Sequence, residues 1–153
     1  MWDLRDLSHP VALKKLDNNN LQAHIHYDPD CKVLYIINKG QSFVQFFYLH
    51  DVDGGEPHLQ LIDQFKGDGI QQTVYFMPKR NVDFMNNELN RALRFNGKVA
   101  EYVTFKVPRK SGAFQTDLFP PCPSGNFSMS FDEWAGGENK PPILKEFDPN
   151  AVV

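Results

Sequence analysis

Phe43-Val44-Gln45-Phe46-Phe47-Tyr48-Leu49 is apolar at all but one of its seven positions. A strand with one face in water alternates apolar and polar residues, so a run apolar at nearly every position implies a sheet covered on both faces. Working outward, Val33 to Ile37, His58 to Phe65, Val74 to Met77 and Tyr102 to Val107 have the same β-rich character. Turn residues punctuate them: Asp17-Asn18-Asn19-Asn20, Asp28-Pro29-Asp30, Asn38-Lys39-Gly40-Gln41-Ser42, Asp51-Val52-Asp53-Gly54-Gly55 and Lys66-Gly67-Asp68-Gly69. The middle of the chain therefore reads as an antiparallel meander of short strands.

Such spacing suits a sandwich, a barrel or a propeller, and the run at 43–49 favours the propeller, whose blades are flanked by neighbours on both faces. One segment reads differently. In Asn86 to Phe95, Leu89, Ala92 and Leu93 fall at i, i+3 and i+4, which taken alone predicts an amphipathic helix. Beyond Pro108, Pro120-Pro121-Cys122-Pro123 and Pro141-Pro142 remove backbone donors, so the tail cannot continue a central sheet and must wrap over a surface. Within it, Ser130-Phe131-Asp132-Glu133 has capping-box spacing ahead of Trp134 and Gly136-Gly137, which predicts one short helix carrying Trp134 inward.

Composition narrows the function. The 153 residues hold 16 basic and 19 acidic side chains, a net charge of -3, which argues against neutralising many phosphates and so against nucleic acid as a partner. No apolar run approaches the ~20 residues of a membrane span. Cys31 and Cys122 lie far apart with no apolar leader ahead of them, which points to a reducing, cytoplasmic compartment. With no zinc spacing and no nucleophile motif, both read as structural.

Several stretches, in order, resemble the coronins, WD-repeat regulators of the actin cytoskeleton. They are Trp2-Asp3, Tyr27-Asp28-Pro29-Asp30, Leu34-Tyr35 through Lys39-Gly40, Met77-Pro78-Lys79-Arg80, Val107-Pro108-Arg109-Lys110-Ser111, Asp117-Leu118-Phe119-Pro120-Pro121, Glu133-Trp134-Ala135-Gly136-Gly137 and Pro142-Ile143-Leu144. The resemblance implies an all-β partial propeller of two to three blades: residues 1–107 as C-terminal WD-repeat blades of a seven-bladed ring, and 108–153 as an extension packing beneath them. Met1 to Asp17 would end the fifth blade, Asn18 to Phe65 would form the sixth and Ile70 to Val107 the seventh. It also turns Glu88 to Phe95 from helix into strand. A full ring at ~40 to 45 residues per blade needs roughly 300 residues, so the chain is expected to represent part of one, started or cut internally. The rest of the propeller would then be a missing partner, and the family's C-terminal coiled coil would be absent too, since nothing after Val107 shows a heptad.

The function implied by resemblance is binding of filamentous actin in the cytoplasm, with no cofactor and no catalysis. Lys79-Arg80 and Arg109-Lys110, with Arg91 and Arg94 between them, gather positive charge that would attract acidic filaments in a salt-dependent way. The competing reading pairs these side chains with acidic neighbours at strand ends. Trp2-Asp3 and Trp134 read as structural, the first pair closing a blade strand and the last anchoring the tail. One alternative is a WD-type scaffold for proteins other than actin. A remoter one is a metal-dependent enzyme at His24-x-His26, whose imidazoles would share one strand face with Asp28 or Cys31 nearby. The spacing fixes no third ligand, so no metal is expected, and Asp51-x-Asp53-Gly54-Gly55-Glu56 reads as an acidic hairpin turn rather than a calcium loop.

Overall fold

The computed structural model describes residues 1–16, 21–50, 57–79 and 82–146. The turns expected at 17–20 and 51–55 lie outside these residues. The chain forms β1 (Ala23–Asp28), β2 (Val33–Asn38), β3 (Phe43–His50), β4 (His58–Lys66), β5 (Thr73–Phe76), β6 (Glu88–Phe95), β7 (Ala100–Lys106), β8 (Cys122–Pro123), α1 (Phe131–Ala135) and β9 (Leu144–Lys145). Strands β1 to β4 make one antiparallel sheet in sequence order, β5 to β7 a second, and β8 pairs with β9. The expected strands are present to within a few residues.

Residues 88–95 form the central strand of the second sheet. Leu89 and Ala92 are buried at 1% and 0% exposure, as are Glu88, Asn90 and Arg94. A strand covered on both faces has no reason to alternate, so its apolar residues fell at helical spacing while the ladders to β5 and β7 decided the conformation.

The first sheet lays β2 and β3 against the second. Tyr35 meets Phe76 and Phe105 at ring-centroid distances of 4.7 and 4.9 Å, and Phe46 meets Phe105 at 5.5 Å. Val33, Ile37, Val44, Leu89, Ala92 and Val103 complete this core, and Phe119 joins it from the tail. The tail reaches that position through an aromatic chain: Phe119 stacks on Phe114 at 5.6 Å and packs edge-on to Phe84 at 6.5 Å.

Two polar ties hold the sheets in register. Gln71, wholly buried, donates its side-chain amide to the carbonyls of Asn38 and Phe43, and its backbone bonds Gly40 and Gln41 in the β2–β3 turn. Gly40 has φ +84°, the left-handed conformation that favours glycine. The second tie is an ion pair between Lys79, after β5, and Asp28, which ends β1.

The capping box of α1 forms as expected, with Ser130 and Glu133 each accepting from the other's backbone amide. The expected burial of Trp134 does not. Trp134 is 63% exposed and packs on Phe131, itself exposed, at 5.9 Å, because the five-residue helix that carries it buries none of its residues.

Candidate interaction surface

The basic side chains that sequence spacing groups together have separate fates. Lys79 lies in the connection between β5 and β6, where its Nζ sits 2.5 Å from Asp28 Oδ2, 2.6 Å from the Leu89 carbonyl and 3.5 Å from Cys31 Sγ. Asp28 is 2% exposed at its side chain, so the pair is a buried bridge between sheets. Burial pulls the Lys79 pKa down, but Cys31 and Asp28 outweigh it, and the net displacement is upward. The ammonium is thus charged and committed inward.

Arg91 forks onto Glu88, donating Nε at 2.8 Å and Nη2 at 2.6 Å, while the same carboxylate accepts the Asp83 amide at 2.7 Å. Arg94 is fully buried, bonded to Glu101 and to the carbonyls of Asp68 and Gly69. It leaves no room beside it: a Cβ on Gly67 would come 2.7 Å from the guanidinium carbon. Arg109 donates to Gln115 and forms a two-pronged contact with Asp117 at 2.7 and 3.1 Å, whose hydrogen bonds hold the Asp117 carboxyl below its ordinary pKa. Lys110 is exposed and has no ion pair among the described residues. Arg80 lies outside the described residues. Charge counting therefore overstates the patch, since four of its cations already face a carboxylate.

At the N-terminus Asp3 accepts from the Arg5 backbone amide at 2.9 Å and from its guanidinium, which holds the carboxyl down at about 2. Asp3 closes a turn with the Asp6 amide, and Trp2 is 54% exposed. His24 and His26 share the expected strand face, but His26 stacks flat on Phe76 at 3.9 Å. Burial lowers the His26 pKa, Asp28 opposes that and Lys79 adds to it. Among the described residues no group of three or more His, Cys, Asp or Glu converges on a metal position.

Two of the clefts among the described residues, each of about 420 Å³, adjoin these side chains. One opens between the first strands of the two sheets and includes His24, Lys39, Gln71, Thr73 and Tyr75. The other lies between the β3–β4 hairpin and the tail and includes Tyr48, His50, Gln60, Arg109 and Asp117. Sequence reasoning missed the second, because it is made by the tail folding back over strands some sixty residues earlier. No helix among the described residues is long and apolar enough to cross a membrane.

These features match known proteins. A family model described as a type of WD40 repeat matches residues 100–142, running from β7 through α1. The crystal structure of the WD40 domain from Toxoplasma gondii coronin superposes with a TM-score of 0.81 at 33% identity over 97% of this chain. The chain spans 37% of that chain's length. Antiparallel sheets in sequence order, the WD40-repeat match and this superposition together make the chain a coronin-like WD-repeat protein whose sheets are blades of a propeller.

Proposed function

We propose that the chain contributes blades to a propeller that binds actin filaments, acting without cofactor or catalysis in the cytoplasm. The observation that carries this reading is the match to a coronin WD40 domain across nearly the whole chain. Arg109 and Lys110, at the exposed start of the tail, are the contact residues to test first, with Arg80 as a further candidate from sequence. Lys79 acts through the fold rather than by contact, because its ammonium is held by Asp28.

Co-sedimentation with actin filaments over a salt series tests this, with an actin-free tube to expose aggregation. Pelleting that needs actin, weakens with salt and falls in an Arg109→Ala, Lys110→Ala variant supports the assignment. Pelleting unchanged by the double substitution removes these residues from the surface. A chain that stays in the supernatant shows that these blades do not bind filaments alone.

The internal pairing of Lys79, Arg91, Arg94 and Arg109 favours a second reading, a WD-repeat scaffold for a protein other than actin. A partner recovered by pull-down and not displaced by excess actin distinguishes it.

A further inference from the structure

The β3–β4 hairpin carries a pair of histidines that neither the core nor the basic residues employ. His50 ends β3, His58 begins β4, and they stand directly opposite each other in the ladder. Alternate residues share a face of a strand, so Tyr48 and His50 on β3 adjoin His58 and Gln60 on β4. The two imidazoles are stacked with centroids 4.4 Å apart and planes 10° from parallel, and Tyr48 packs edge-on to His50 at 4.7 Å. His50 is half-buried and His58 exposed. His50 Nε2 lies 2.6 Å from Gln60 Oε1. An Nε2–H donated to that oxygen leaves the lone pair of the neutral ring on Nδ1, the kind of supporting bond that orients a metal-binding histidine.

We propose that His50 and His58 form a two-histidine site for a divalent transition-metal ion, with zinc as the representative ion and solvent completing the coordination. Two Zn–N bonds of about 2.0–2.1 Å at a tetrahedral angle place their nitrogens about 3.3 Å apart. In the stacked arrangement the in-plane lone pairs lie side by side, so the proposed chelation requires both imidazoles to rotate out of the stack. Imidazole nitrogen selects zinc, copper or nickel over calcium and magnesium, which prefer oxygen. The pair differs from His24 and His26, where one ring is held flat against Phe76.

The test titrates zinc into the full chain in a non-coordinating buffer, following heat and the imidazole resonances. Saturation at one ion per chain is expected, with the His50 and His58 resonances shifting together. His50→Ala and His58→Ala should each weaken binding by about tenfold or more, while His24→Ala and Cys122→Ser leave it within about twofold. No saturable binding, unchanged affinity in both hairpin variants, or an equal loss in either control overturns the site. Circular dichroism checks each variant's fold, and His58→Ala, made at an exposed ring, decides the matter if His50→Ala unfolds.

Discussion

Lys79 joins the two sheets with a single ammonium, whose partner Asp28 is out of water. Removing one member of such a pair strands the other's charge, so Lys79→Ala should lower stability by about 3 kcal/mol, read from the urea midpoint at neutral pH. Substituting both, Lys79→Met with Asp28→Leu, should recover much of the loss, because no buried charge is left unpaired. Since the folded pKa of Lys79 is raised, its contribution is complete at neutral pH and is lost only as pH climbs past the ordinary lysine value through the folded one. An unchanged midpoint in Lys79→Ala would show that the bridge holds nothing. Beside it, burial pushes the Cys31 thiol up to about 11, with Lys79 opposing and Asp28 and Asp30 adding, and the side chain is 4% exposed. Iodoacetamide should therefore label Cys122 in the native chain and Cys31 only after unfolding, as peptide mass spectrometry would show. Labelling of Cys31 at native pH 7 would contradict the packing around it.

At the scale of the element, α1 and β6 teach opposite lessons. The capping box is a local device: Ser130, Glu133 and their own amides suffice to start the helix, so four residues of sequence announce it. Which way Trp134 points is settled by what lies nearby, and nothing in residues 130–137 encodes that. With Trp134 exposed, Trp134→Ala should move the melting midpoint by no more than about 0.5 kcal/mol allows. Phe105→Ala, at 1% exposure among Tyr35, Phe46 and Phe76, should cost about 3–5 kcal/mol. Equal losses from the two substitutions would mean that Trp134 is covered in solution. Strand β6 shows the converse, where pattern misleads because both faces of the strand are buried.

Across the whole molecule, the sheets end at β1, β4, β5 and β7, and their outer faces leave Ile25, Leu61, Tyr75 and Tyr102 at 48–69% exposure. Edge strands offer unpaired amides and carbonyls to another copy. Sedimentation velocity should therefore show a weight-average mass that rises with concentration. Tyr102→Lys on β7 should suppress that rise, since an edge lysine opposes strand addition. A constant monomer mass from dilute to concentrated solution would show that the edges are protected.

Local chemistry alone determined most of the strands, though not β6, together with the capped helix and the extended proline-rich tail, since periodicity, β-branching and turn residues act within a few positions. The ordered motifs carried the coronin resemblance in the same way. Only tertiary structure decided that Lys79, Arg91, Arg94 and Arg109 face carboxylates, two of those carboxylates, Asp28 and Glu88, being themselves buried. It also set Trp134 in solvent and brought His50 against His58. The reason is physical: a charge seeks the nearest opposite charge in space, and a ring packs against whatever the fold brings to it. Neither neighbour is specified by distance along the chain.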